Sequence, residues 1–288
     1  MTGASARIAC IQMRSGTNEA ANIIALRDMV TEATAGGARY VLTPEMTGLV
    51  ARSNELFAQI SPDDRNPVFA AASELAGDLG IWLHIGSTAV LSGEGRAVNR
   101  AAMFAPNGDR VATYDKIHMF DVDLDNGESW RESATYDAGD TGVVVYGPPV
   151  PVGMAICYDL RFAELFRSEA LAGAEMLTCP ACFTRQTGEA HWHALLRARA
   201  IENGAYVVAA AQGGLHADGR QTYGHSLVYD PWGRLVAELD HDQPAILACE
   251  IDPALPAMMR RKIPVLGHVR DFSIRVEGVA VQAGEAAA

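Results

Sequence analysis

Three residues far apart in the chain, Glu45, Lys116 and Cys157, are of the types that acyl transfer needs. A cysteine attacks as its thiolate, a carboxylate can take and return a proton, and an ammonium can stabilise an oxyanion. Cys157 follows the apolar run 149–156 and precedes a segment with Phe162, Leu165, Phe166 and Leu171 at helical spacing. It therefore falls at a strand-to-helix corner. Rigid backbone there holds a side chain at the open end of a parallel sheet, and the first helical amides favour negative charge. Taken alone, Cys157 reads more readily as a small buried hydrophobe. Glu45 stands behind Thr43 and Pro44 at the end of an apolar strand, and alone it reads as a solvated loop carboxylate. Lys116 lies in residues 114–123, a stretch dense in ionisable groups whose Ile117, Met119, Phe120 and Val122 argue for partial burial. Glu128 and Glu132 add two carboxylates just after it.

The elements around these residues decide whether they can meet. Residues 6–13 alternate as a strand, and 18–35 carry Ile23, Leu26, Met29, Val30 and Ala33 at helical spacing before Gly36 and Gly37. A strand at 39–42, a helix at 66–80 and a strand at 81–88 follow. Residues 97–105 and 110–114 read as a hairpin around Pro106-Asn107-Gly108-Asp109. Residues 143–146 and 150–156 form a strand pair leading to Cys157, and 175–179 form the next strand. Thr187 is expected to cap a helix whose inner side carries Trp192, Leu195, Leu196 and Ile201, with Asn203-Gly204 ending it. A buried strand at 205–211, a hairpin over 224–238 and a last core strand at 245–251 complete the series. Strands alternating with helices predict an α/β fold with helices on the outer faces of its sheets.

Taken together, Thr43-Pro44-Glu45, residues 114–118 and Ile156-Cys157-Tyr158-Asp159 resemble the signatures of the nitrilase superfamily, the carbon–nitrogen hydrolases. The resemblance runs from Arg7 to about Ile274. It sharpens to the Nit branch at residues 116–123, Arg131-Glu132-Ser133, Ala190-His191-Trp192 with residues 196–202, and Tyr223-Gly224-His225-Ser226 with Asp230-Pro231-Trp232-Gly233. Within that branch the chain looks most like the deaminated glutathione amidases, and residues 207–212 favour them over the omega-amidases. The resemblance implies a four-layer α-β-β-α sandwich in one carbon–nitrogen hydrolase domain over 1–275; residues 276–288, ending in the small-residue run 281–288, read as a flexible tail. It also implies a catalytic Glu45–Lys116–Cys157 triad with Glu132 in support, and passes over Glu128. Arg161, Phe183 and Thr187 would then line the substrate pocket. Members of the family pair through helices on one outer face, so a homodimer or larger assembly is expected. Cys182 and His193 depart from the branch pattern and bear on the substrate's fit.

These roles suit amide hydrolysis. Glu45 would take the proton of Cys157, protonate the leaving ammonia and then activate a water against a thioester. Lys116 and the backbone N–H of Tyr158 would stabilise the oxyanion; losing one such donor typically costs about 3 kcal/mol. Arg161, one turn after Cys157, could fork onto a substrate carboxylate, or pair with Glu164 or Glu169 instead. The expected activity is cysteine-dependent hydrolysis of a small carboxylate-bearing amide, deaminated glutathione, to acid and ammonia. α-Ketoglutaramate, a nitrile and an N-carbamoyl amino acid are the alternative substrates.

Composition narrows the field. The chain has 288 residues and a net charge of −12, which repels nucleic acid and anionic membrane surfaces. No signal-peptide core and no run of membrane-spanning length is read, so a cytoplasmic enzyme with a small-molecule substrate is expected. Five cysteines, an odd number, fit reduced thiols rather than a disulfide framework. Cys179-Pro180-Ala181-Cys182 has no second pair to complete a zinc site. His118, His191, His193 and His225 likewise show no metal-ligand spacing, so neither a metal nor a cofactor is expected.

Overall fold

A computed structural model describes residues 5–93, 95–124, 127 and 129–278. The first half runs β1 (Ala6–Gln12), α1 (Glu19–Ala35), β2 (Tyr40–Leu42), α2 (Ser53–Phe57), α3 (Pro67–Leu79), β3 (Trp82–Gly93), β4 (Arg96–Phe104) and β5 (Arg110–Asp115). The short strands β6 (Asp121–Asp123), β7 (Ser129–Arg131) and β8 (Tyr136–Asp137) follow. Next come β9 (Val143–Val145), β10 (Val152–Met154), α4 (Ala163–Leu171), β11 (Met176–Thr178), α5 (Arg185–Asn203) and β12 (Tyr206–Ala209). The chain closes with β13 (Gly213–Leu215), β14 (Gln221–Tyr223), β15 (Leu227–Tyr229), β16 (Leu235–Glu238), β17 (Ala245–Ile251) and α6 (Leu255–Lys262).

Two main sheets form. One has the order β17-β1-β2-β3-β4-β5, with β8 beside β4; the other runs β16-β15-β12-β11-β10-β9. Strand parity explains the layering. Ile8 and Cys10 of β1 face the core shared with the second sheet, whereas Ala9 and Ile11 face the core under α1 and α3. Tyr40 and Leu42 divide from Val41 in the same way on β2. Leu26 and Val30 of α1, with Val68, Phe69 and Ala72 of α3, cover the outer face of the first sheet. Phe166 of α4 and Trp192, Leu196 and Ala200 of α5 pack with the second. The result is the four-layer α-β-β-α sandwich.

Local signals set the ends of the long helices. Asn18 caps α1 by accepting from Ala21 N–H at 3.0 Å. Asn66 caps α3, with Pro67 in its first turn, and Gly80 ends it in the left-handed conformation at φ 64°.

The structure departs from the sequence expectation in several places. β10 spans three residues; beyond it the chain leaves the sheet and makes a 3-10 turn, Cys157–Arg161, before α4 begins. α5 starts at Arg185, so Thr184 holds the cap position and Thr187 lies inside the first turn. Ile201 and Leu171, expected to face inward, are 51% and 52% exposed. Both stand on the outer helical layer, whose far side no further layer covers among the described residues. α2 and α6 were not read from the pattern: both are short, and periodicity needs several turns to stand out. After α6 and a 3-10 turn, Val265–His268, residues 269–278 form no helix or strand, and Phe272, Ile274 and Val276 are exposed. Most of the expected tail, residues 279–288, lies outside the described residues.

Candidate active site

Two strained backbone positions mark the site. Cys157 adopts φ 48° and Met46, directly after Glu45, adopts φ 57°. Such angles are costly for residues with a side chain and persist where the surroundings hold them. Cys157 N–H donates to Pro180 O at 2.9 Å, and Met46 N–H donates to Ser87 Oγ at 3.0 Å. Gln212 adds a second brace, its Nε2 donating to Glu45 O at 3.1 Å and Met46 O at 3.2 Å. At the Cys157 turn the brace is Asp159, which is fully buried. Its carboxylate accepts from Ile156 N–H at 2.9 Å and Tyr114 Oη at 2.7 Å. It also accepts from His118 N–H at 3.0 Å and meets His118 Nδ1 at 2.7 Å. One carboxylate thus ties the nucleophile turn to the segment that carries Lys116.

Glu45, Lys116 and Glu132 meet in the interior. Lys116 Nζ lies 2.9 Å from Glu45 Oε1 and 2.8 Å from Glu132 Oε2. Glu45 is 3% exposed, so the solvated-loop reading of that carboxylate does not hold. Asn99 of β4 links the two acids, its Nδ2 donating to Glu45 Oε1 at 2.9 Å and Glu132 Oε1 at 3.3 Å. Glu132 Oε2 also accepts Phe120 N–H at 2.7 Å, and Glu45 Oε2 accepts Cys182 N–H at 2.7 Å. Burial alone would push the Lys116 pKa down, but the charges of Glu132 and Glu45 hold it well above its ordinary value. Lys116 is therefore a fixed cation. The Cys157 thiol is pushed well up, first by burial and then by the charge of Glu45, which lines the same cavity. A neutral thiol beside a carboxylate needs that carboxylate as its base.

These groups line a cavity of about 540 Å³. Tyr158, Cys182, Phe183 and Thr187 line it too. The Tyr158 N–H lies in the first turn of the 3-10 segment, where no intrahelical acceptor exists. Arg161 is absent from the cavity lining among the described residues. Its guanidinium lies 5.7 Å from the Tyr158 ring centroid and 5.6 Å from that of Phe183. It donates to His191 Nδ1 at 3.2 Å, and is paired with neither Glu164 nor Glu169. His193 pairs with Glu238 at 2.6 Å, His225 meets Tyr223 O at 2.7 Å, and the rings of these two histidines meet edge to face at 6.0 Å. Glu128 lies outside the described residues.

The family model for carbon–nitrogen hydrolases matches residues 7–261. The chain belongs to the carbon–nitrogen hydrolases. The deaminated glutathione amidase of Yersinia enterocolitica is 37% identical to it, over 93% of this chain and 94% of that protein. Among solved structures, the C. elegans NitFhit protein is similar, with a TM-score of 0.84 and 35% identity over 94% of this chain and 66% of its own. Nit3 of Saccharomyces cerevisiae, a member of branch 10 of the nitrilase superfamily, has a TM-score of 0.81 at 26% identity, over 91% of this chain and 95% of its own. The protein is thus an amidase with the nitrilase-superfamily fold.

For this carbon–nitrogen hydrolase, sequence reasoning missed Asn99, Asp159 as a brace, and Gln212 as a support for Glu45. Each had a faint signal. Asn99 is an uncharged polar residue directly after the apolar Ala97-Val98, and Asp159 sits two residues from the nucleophile. Such signals gain meaning only once the partners are known.

Proposed function

We propose that this enzyme hydrolyses the amide of deaminated glutathione, a carboxylate-bearing substrate, through a thioester on Cys157. The observation that carries the mechanism is the meeting of Glu45, Lys116, Glu132 and Cys157 in one cavity. The relatives that bear the name deaminated glutathione amidase support the substrate. So does the cavity's charge. Arg52, Lys116, Arg131 and Arg220 line it against Glu45, Glu132 and Asp218, a local positive excess on a chain of net charge −12. A cleft of that sign draws an anionic substrate.

The steps follow from the contacts. Glu45 takes the Cys157 proton as sulfur attacks the amide carbon. Lys116 and the Tyr158 N–H hold the oxyanion, with Glu132 and Asn99 keeping Lys116 in place. Glu45 returns the proton to the nitrogen, the C–N bond breaks, and a thioester remains. Glu45 then deprotonates a water that attacks the thioester, and the acid leaves as Cys157 regains its proton. For a primary amide the leaving group is ammonia. The amide nitrogens of a glutathione derivative belong to its cysteinyl and glycyl residues, so there the leaving group is an amine. Phe183 and Thr187 form the acyl side of the pocket in this reading, with Arg161 beside the Tyr158 and Phe183 rings. The protein works as a cytoplasmic homodimer; its five free cysteines fit a reducing compartment.

The test is turnover of deaminated glutathione and α-ketoglutaramate side by side, following amine and ammonia. Wild type is expected to prefer the first, and Cys157→Ala, folded by circular dichroism, to lose at least 1,000-fold in rate, ~4 kcal/mol of barrier. Preference for α-ketoglutaramate overturns the substrate; full activity in the variant overturns the nucleophile.

A further inference from the structure

Arg220 is the cavity's best-enclosed guanidinium, and none of the steps above uses it. Its side chain is 18% exposed, whereas that of Arg131 is 52% exposed and already engaged by Asp123 through both carboxylate oxygens. Arg220 is held as a preformed group. It ends a tight turn in which His216 N–H donates to Arg220 O at 2.9 Å and Gly219, at φ 92°, donates to His216 O at 3.0 Å. Asp218 accepts Arg220 N–H at 3.1 Å and Arg220 Nε at 2.8 Å. His216 anchors the turn beneath, with Nδ1 2.8 Å from Ser15 O and Nε2 2.7 Å from Thr222 Oγ1. The guanidinium lies 5.0 Å from the Trp130 ring centroid, a stacking that leaves its edges for in-plane hydrogen bonds. Asp218 takes Nε, and Arg220 lines the cavity together with Cys182.

Position relative to Glu45 gives this cation its role. Cys182 donates its N–H to Glu45 Oε2 at 2.7 Å, and its thiol feels the positive charge of Arg220. Arg220 is therefore one residue removed from the acid that must protonate the departing nitrogen. Arg161 stands by Tyr158 and Phe183, on the side of the nucleophile turn. The two cations stand on different elements, Arg161 at the end of the 3-10 turn and Arg220 just before β14.

We propose that Arg220 binds a carboxylate of the leaving group, so that the enzyme selects amides whose departing amine carries its own anionic end. This rests on the substrate reading above and deepens it: a peptide leaving group ends in such a carboxylate, and ammonia has none. Asp218 holds Arg220 by one edge without spending its Nη donors, which is what a preorganised carboxylate fork requires.

The experiment compares deaminated glutathione with its carboxamide, in which the terminal carboxylate alone is amidated. The readout is the ratio of kcat/KM for the acid over the carboxamide, in wild type, Arg220→Gln and Arg220→Lys. Wild type is expected to favour the acid, and Arg220→Gln to reduce that ratio about 10- to 100-fold, mostly through KM. Arg220→Lys is expected to fall between them, since a point charge replaces a fork. An equal loss on both substrates makes Arg220 a brace for the Cys182–Glu45 contact and overturns the inference, as does a wild type indifferent to the carboxylate. A wild type that turns over α-ketoglutaramate but neither glutathione derivative overturns the substrate reading, and this inference with it.

Discussion

At the scale of single residues, the site depends on a carboxylate that takes no part in the steps above. Asp159 gives Oδ2 to Ile156 N–H and Tyr114, and Oδ1 to His118. Asn in its place keeps one acceptor oxygen and turns an NH2 group toward donors. We expect Asp159→Asn to lower kcat about 10- to 100-fold with a smaller change in KM, because misplacing Cys157 against Lys116 by a fraction of an ångström is enough. Steady-state kinetics with a thermal melt would check it; a fall in stability with kcat intact would limit Asp159 to a structural part. Lys116 illustrates the same dependence. Its charge survives burial only because Glu132 and Glu45 sit on it.

At the scale of elements, close packing sets the path of the Glu45 loop. Gly86 of β3 leaves no space for a Cβ, which would overlap Thr43 O and the Pro180 ring and press on Pro44 O. Gly86→Ala should destabilise the fold by about 1–3 kcal/mol and lower activity more than stability alone explains. A melting curve and a rate measured well below the midpoint separate the two effects. Glu19, in the first turn of α1, supplies a pH signature. It is buried, its Oε1 lacks a partner among the described residues, and burial pushes its carboxyl up to about 7. The native pKa exceeds the unfolded one, so native Glu19 holds its proton longer. Its contribution to stability is full below pH ~4.5 and is lost as pH rises to about 7. Glu19→Gln should remove that loss, raising stability at pH 8 relative to pH 4 by at most ~3 kcal/mol. Denaturant melts across this range would show it; parallel curves for both proteins would refute it.

At the scale of the whole molecule, the outer layer beside the second sheet stays uncovered among the described residues. Ile201 on α5, with Trp232, Leu235 and Val236 at the β15–β16 turn, is exposed, and Gly233 of that turn packs on Ile201. Exposed apolar side chains grouped in this way suit an association surface, and the homodimer proposed above would bury them. Sedimentation should give twice the mass of the chain, and Ile201→Asp with Leu235→Asp should halve it; a wild-type monomer at micromolar concentration would refute the dimer. The legibility of this protein divides along the same scales. Strand parity and helical spacing are local properties, so α1, α3, β1 and β17 could be read from residues alone, and the motifs around Glu45, Lys116 and Cys157 named the chemistry. Glu45 by itself still looked solvated, because burial belongs to the packed layers and not to three consecutive residues. Asn99 between two acids, Asp159 spanning two segments and Arg220 beside Cys182 pair residues at least 33 positions apart. Such pairs follow from how the two sheets stack and where their connecting loops converge, and only the tertiary structure decides that.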